Sequence, residues 1–290
     1  MPKKTHKPTS ENLVIAVTSD QHAGGTTAVC PPSIMLDDGG SYTASVAQRW
    51  LWEKWLDYWK QVEETRKAFN ARLGMVFNGD MTDGNHHGTT QIASGNPSAQ
   101  AVVVNELLRI PLALKPDFSA GIRGTEAHVG PSAAFEERIF TGLRKDGWPV
   151  VRNEETGTSS HWHWTMEHQG VRLDFAHHGR VGTRGWTKGN AVLAQAADII
   201  LTHAMTNRPA PHLAVRSHMH QFVDSGSIYP TRLIQMPAFQ LATAFIHRIA
   251  PGAIADVGGI IITIVDGELD VIPVVSHPDP TPTWRMPWAH

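Results

Sequence analysis

Short apolar runs that stop abruptly at acids, glycines and histidines set the pattern of this chain. Residues 12–18 are apolar and rich in β-branched side chains and end at Ser19-Asp20-Gln21-His22, which predicts a fully buried strand. Residues 73–78 repeat the arrangement and end at Gly79-Asp80-Met81-Thr82-Asp83-Gly84. Residues 118–123 do so again ahead of Gly124-Thr125-Glu126-Ala127-His128-Val129-Gly130. Residues 161–168 and 171–178 alternate about Gln169-Gly170, a hairpin pattern with Trp162, Trp164 and Met166 on one face and Val171, Leu173 and Phe175 on the matching core face. Residues 213–220 form a further short strand ending in imidazoles, residues 221–240 read as irregular strand, and residues 258–265 and 269–275 form a hairpin around Asp266-Gly267.

Helical spacing fills the intervals. Residues 43–71 set Val46, Leu51, Trp55, Tyr58, Trp59 and Val62 on one face, and a tryptophan stripe at that spacing, with Trp50 and Trp52 beside it, is packing rather than a platform for bases. Residues 98–110, 131–145 and 189–200 are also helical, the second with Phe135, Ile139 and Leu143 four apart and Pro131 in its first turn. Residues 26–42 read as loop, and residues 84–97, with His86 and His87, as a loop over the strand ends. Strand, helix, strand order of this kind predicts an α/β fold whose strand tips converge on one edge. Without internal repeats or a low-complexity linker, residues 12–276 read as one domain, between a polar tail (1–11) and an extended Pro-rich tail (277–290).

Composition narrows the chemistry. With 41% hydrophobic and 18% charged residues among 290, the chain is that of a globular protein. Its longest apolar patch, residues 258–265, falls well short of the roughly 20 residues a membrane span requires. Lys3, Lys4 and Lys7 precede no apolar core of a signal peptide. A net charge of -2 gives no bulk basic field for non-specific nucleic-acid binding. The single cysteine, Cys30, excludes an intrachain disulfide or a multi-cysteine metal site and suits a reducing, cytoplasmic setting. Histidine is the departure: 17 residues, clustered as His86-His87, His177-His178 and His218-Met219-His220, point to a metal site of imidazoles and carboxylates. If the backbone stays extended, Asp20 and His22 face one side, as do His218 and His220. His177 shares the parity of Leu173 and Phe175, which makes it a better ligand candidate than His178. Arg180 and Arg184 follow, placed to meet an anion, and the glycine-rich loop before Pro131 favours one too.

In order, the blocks are D-x-H at Asp20 and His22, G-D-x-x-D at Gly79 to Asp83, a glycine-framed loop with Glu126 and His128, H-H-G at His177 to Gly179, and S-H-x-H at Ser217 to His220. This series resembles the calcineurin-like metallophosphoesterase family, whose pattern runs D-x-H, G-D-x-x-D, G-N-H-[D/E], a lone His and G-H-x-H. The resemblance covers residues 13–222, and the tryptophan-rich helix after the first motif is similar to phage-encoded members.

The resemblance implies a four-layer α/β/β/α sandwich of two mixed sheets and a dinuclear metal site. Asp20, His22 and His220 would bind one cation, His177 and His218 the other, and Asp80 would bridge them, with Asp83 fixing the loop by hydrogen bonds. Two divalent transition-metal ions are implied, manganese first, with iron, zinc and nickel also suited to nitrogen and oxygen ligands. The activity implied is hydrolysis of a phosphate ester, as phosphodiesterase or nuclease, with nucleotide or nucleic acid as candidate substrates. Phosphomonoesterase and a degenerate binding scaffold are the competing readings. His128 would be the general acid, and Arg123, Arg180 and His178 would meet the substrate. The departure lies at Gly124-Thr-Glu-Ala-His128, where the family has Gly-Asn-His. Glu126 is the first candidate to replace the Asn as a ligand, and the Thr125 hydroxyl the alternative.

Overall fold

The computed structural model describes residues 11–279 apart from His87, Thr183 and Pro251. Most of both predicted tails lies outside that range. In chain order the elements are β1 (Leu13–Thr18), β2 (Ser33–Met35), β3 (Ser41–Thr43), α1 (Val46–Ala68), β4 (Arg72–Phe77), α2 (Pro97–Ala113), β5 (Phe118–Gly121), α3 (Glu126–Val129) and α4 (Ala134–Lys145). They continue with β6 (His163–His168), β7 (Val171–His178), α5 (Lys188–Met205), β8 (Leu213–Ser217), β9 (Val223–Asp224), β10 (Arg232–Gln235), α6 (Ala244–Ile249), β11 (Val257–Val265) and β12 (Glu268–Ser276).

Two five-stranded mixed sheets result, ordered β12-β11-β1-β4-β5 and β6-β7-β8-β10-β9. In the first, β1, β4 and β5 run parallel, with Thr18 opposite Phe77 and Phe77 opposite Gly121, so the three strands release their chains at one level. In the second, β7, β8 and β10 run parallel. Parallel strands that end together deliver their following loops to one edge, where the predicted motifs lie.

The sheets pack face to face through Ile15, Val17, Val76, Ile122 and Ile262 from one and Leu173, Phe175, Val215 and Ile234 from the other. Behind the first sheet, Val14, Met75 and Phe77 pack under Leu51, Trp55, Val104 and Phe140 of α1, α2 and α4. Behind the second, Ala214 and Leu233 meet Val192 and Ala196 of α5. The expected four-layer α/β/β/α arrangement follows, and each large side chain fully buried in it contributes about 1.5–3 kcal/mol. The tryptophan stripe is packing: Trp55 makes edge contacts with Trp59 at 5.4 Å and Phe239 at 4.8 Å. Tyr58 reaches through the layer to donate to the Val17 and Ile260 carbonyls at 3.1 and 2.9 Å.

Several local expectations are corrected. Val46, placed on the apolar face of α1, is exposed because it is the first residue after the Ser45 capping box, ahead of the packed turns. On α4 the buried positions are Glu136, Phe140 and Leu143, while Phe135 and Ile139 are half-buried, Ile139 against the same core, because left-handed Ser132 and Ala133 turn the chain as it enters the helix. The loop over residues 26–42 contains the β2–β3 hairpin, whose three-residue strands are too short to show a period. Residues 244–249 form the unexpected α6, capped by Thr243. Trp162 precedes β6 and lies outward against Arg123, while Trp164 stacks on Phe175 as expected. His161, His163 and His168 bond Val151 O, Asp174 and Glu11 O, the structural roles expected of them. Among the described residues no helix is long and apolar enough to cross a membrane.

Candidate metal centre

Beyond the strand ends the backbone leaves the extended region at the candidate ligands. Asp20, His22, Asp80, His218 and His220 have φ of 52°, 45°, 56°, 75° and 53°. That corrects the expectation of an extended D-x-H and H-x-H: the side chains of each pair converge through left-handed turns, and β8 ends before His218. A left-handed non-glycine residue costs about 1 kcal/mol or more, a strain that recurs at functional sites. Cross-loop bonds hold it in place. Asp20 N donates to Gly79 O at 2.9 Å, His22 N to Asp80 O at 3.0 Å and Ala23 N to Met81 O at 2.9 Å.

The turns assemble two separate triads, Asp20 with His22 and His220, and Asp80 with His177 and His218. In the first, Asp20 Oδ1 lies 3.2 Å from His220 Nε2 and 3.7 Å from His22 Nε2, and the two ring nitrogens are 3.1 Å apart. In the second, Asp80 Oδ2 lies 3.0 Å from His177 Nε2, and His177 Nδ1 is held at 2.7 Å by the Asn78 carbonyl. His22 and Asp80 also share a third grouping with His128, so the two triads adjoin.

These residues fit transition-metal cations. Asp20 Oδ1 is buried and accepts no hydrogen bond of good geometry, although three imidazole nitrogens surround it, His177 Nε2 being the third at 3.9 Å. Its other oxygen is satisfied by Ser19 Oγ at 2.6 Å. Ligand atoms about 2.1 Å from a tetrahedral cation stand about 3.4 Å from one another, the scale of the separations found here. An orphaned carboxylate oxygen amid convergent imidazole nitrogens is what a cation would complete.

Charge is concentrated accordingly. Burial alone would push the Asp20 carboxyl up, but His220, His177 and His22 hold it well below the usual carboxylate range, and His177 and His22 do the same for Asp80. Burial disfavours charged His22 and His177, yet the carboxylates prevail and raise them to about 10 and about 9. Burial and the neighbouring His177 lower both His218 and His178. Burial and His22 lower His128 to about 4.

The loop after β5 differs from expectation. Glu126 is exposed, accepts a bond from Ser132 N at 2.9 Å and belongs to none of the ligand groupings. As the first residue of α3 it reaches past the end of that turn to Ser132. Thr125, the alternative, is the residue that faces the site: its N donates to Asp80 Oδ1 at 2.6 Å and its hydroxyl lies 3.2 Å from His218 Nδ1. His128 does enter, with its ring edge-on to His22 at 4.5 Å and Nδ1 2.8 Å from the Asp83 carbonyl. Asp83 bonds His22 Nδ1 through Oδ1 at 3.2 Å, which leaves Nε2 for a cation. His178 lies beside His218, ring centroids 4.9 Å apart. The arginines turn elsewhere. Arg123 bonds Ser160 Oγ and pairs with Glu137, and exposed Arg180 lies 3.7 Å from Asp198.

Two supporting residues went unnoticed in the sequence. Glu136, fully buried on α4, accepts from Gly124 N at 2.6 Å and Met81 N at 3.3 Å and so ties the loops after β5 and β4 together. Burial, with the Asp80 charge nearby, pushes its carboxyl up to about 8. Gln100 on α2 clasps Gly84, accepting from its N at 2.9 Å and donating to its O at 3.0 Å. The one signal for either was a polar residue at a helix position whose neighbours a turn away are apolar.

No family model matches the chain, and no curated protein matches it in sequence. Among solved structures it is similar to vacuolar protein sorting 29 from Cryptosporidium parvum, with 8% identity, 93% of this chain and 99% of that one covered, and a TM-score of 0.42. Vps29 from Entamoeba histolytica, complexed with zinc, gives 8%, 91%, 98% and 0.36. A predicted phosphoesterase from Streptococcus pneumoniae gives 11%, 91%, 90% and 0.33. Likeness this distant bears on neither activity nor substrate.

Proposed function

We propose that this chain is a metal-dependent hydrolase of phosphate esters, acting as a phosphodiesterase or nuclease. The observation that carries the proposal is the pair of adjoining Asp/His triads, with Asp20 Oδ1 orphaned between their imidazoles. Asp20, His22 and His220 would hold one cation, His177 and His218 a second, and Asp80 would join them. Divalent cations held there would supply a nucleophile from water near neutral pH and would neutralise charge on phosphoryl oxygens. Manganese, iron, zinc and nickel all suit this donor set.

The chain's own residues prepare that chemistry. Asn78 O and Asp83 Oδ1 fix which nitrogens His177 and His22 present. Ser19 and the His218 backbone N hold Asp20 Oδ2, aiming Oδ1 inward. Proton delivery to the leaving oxygen falls to His128, beside both triads. As the ring stands, Nδ1 faces the Asp83 carbonyl, so delivery requires a proton on Nε2.

A diester is favoured over a monoester because Arg123 and Arg180 are committed away from the triads, leaving fewer cationic contacts for a dianion. The net charge of -2 favours a nucleotide or short strand over long duplex. Hydrolysis of a bis-aryl and a mono-aryl phosphate with manganese tests this. Faster cleavage of the diester is expected, and cleavage of the monoester alone would overturn the diester assignment. No cleavage of either by metal-loaded protein would leave a binding scaffold.

A further inference from the structure

A fourth grouping of ligand-bearing side chains, Asp83, His86 and His128, shares no residue with either triad and shares His128 with the grouping that adjoins them. Asp83 Oδ1 lies 3.7 Å from His86 Nε2 and 3.8 Å from His128 Nδ1. These separations match the 3.7 Å between Asp20 Oδ1 and His22 Nε2 in the first triad. They are also within a few tenths of the about 3.4 Å that ligands of a tetrahedral first-row cation keep from one another. The three side chains are buried or half-buried.

The surrounding fold builds this arrangement. Gly84 turns the chain with φ 71°, and a Cβ there would press on the Ala127 and His128 carbonyl oxygens at 2.7 and 2.6 Å, so only glycine lets the two loops meet. Gln100 clasps the same glycine, and Thr82 Oγ1 donates to His128 O at 3.1 Å. His86 is thereby brought edge-on to His128, ring centroids 4.3 Å apart.

We propose that Asp83, His86 and His128 bind a third divalent cation of the first transition row, next to the dinuclear centre. Two imidazoles and one carboxylate are a donor set suited to zinc, iron or nickel. The cation takes the place of hydrogen at His128 Nδ1, displacing the bond to the Asp83 carbonyl. The proton of the neutral ring then resides on Nε2, the state that proton delivery from His128 requires. Cation binding here does not rest on the phosphoesterase reading, although that reading also uses Asp83 and His128, because none of the three ligands belongs to either triad.

The test is metal stoichiometry of the full-length, untagged chain. Metal-stripped wild type, His86→Gln and His86→Asn are titrated with Zn2+, freed of excess by gel filtration and analysed for bound metal. Equal melting temperatures of the metal-free proteins serve as the folding control. Wild type is expected to retain one equivalent more than either variant. Equal content in all three overturns the proposal. Failure of the dinuclear reading has a different signature: low content throughout, with the difference of one equivalent preserved.

Discussion

Gly124 stands so close to Asp80 that a Cβ on it would overlap both Asp80 Oδ1 and the Asp80 backbone nitrogen. The approach is what lets Thr125 N donate to Asp80 Oδ1 at 2.6 Å while Oδ2 faces His177. Gly124→Ala must therefore move either the carboxylate or the loop. Overpacking of this kind costs about 1–3 kcal/mol of stability. We expect weakened metal binding and a loss of hydrolysis of about 100-fold or more, since a displacement near 1 Å at a reacting centre has that effect. Denaturant unfolding and metal titration of the variant check both parts.

Metal binding should release protons. In the metal-free chain His22 at about 10 and His177 at about 9 are protonated at pH 7, whereas a bound imidazole must be neutral. The metal-free form carries the protons, so acid favours it and weakens binding. About two protons should leave on full loading, one with each cation, and the affinity for each cation should fall about 10-fold per pH unit on acidification below the lower of these values. Calorimetric titration in buffers of differing ionisation enthalpy measures the number. No buffer dependence would contradict the assigned ligands.

Buried Glu136 gives the metal-free fold its own pH signature. Its carboxyl is raised from an ordinary 4.5 to about 8, so between those values the native state binds more protons than the unfolded chain. Stability should therefore decline as pH rises through that window, by at most about 1.4 kcal/mol per pH unit from this group. Glu136→Gln should flatten the slope in urea unfolding of metal-free protein between pH 5 and 8. An unchanged slope in the variant would exclude Glu136 as its source.

His128→Ala separates proton delivery from metal loading at the first two sites. Turnover should fall by about 10²–10⁴-fold on a substrate with a poor leaving group, and much less where the leaving aryl oxide needs no proton. Equal losses on both substrates would contradict the acid role.

Much of this arrangement was legible in the chain because parallel buried strands announce themselves as apolar runs and must end where their loops begin. Asp20, Asp80 and His177 were readable from that alone, as residues at strand ends. Asp83 and Asp80 look alike in sequence; what separates them is that Asp80 meets His177 while Asp83 turns back to His22. The pairing of His22 with His220 joins residues far apart in the chain, and the resemblance, not the periodicity, supplied it. Glu126 misled because a single-turn helix redirects it to Ser132, and such a turn has no period to read. Glu136 was hidden because left-handed Ser132 and Ala133 shift the buried stripe of α4, so that this acid takes the buried place the pattern gives to Phe135. The hairpin β2–β3 and helix α6 are too short for either period to emerge.

Asp80→Asn tests most directly whether Asp80 joins two cations in a phosphoesterase site. Wild type and variant are loaded with manganese, analysed for bound metal and assayed with a bis-aryl phosphate. Wild type is expected to hydrolyse the diester, and Asp80→Asn to lose bound metal and turnover together. A variant that keeps its metal and hydrolyses the diester at the wild-type rate would contradict that role of Asp80.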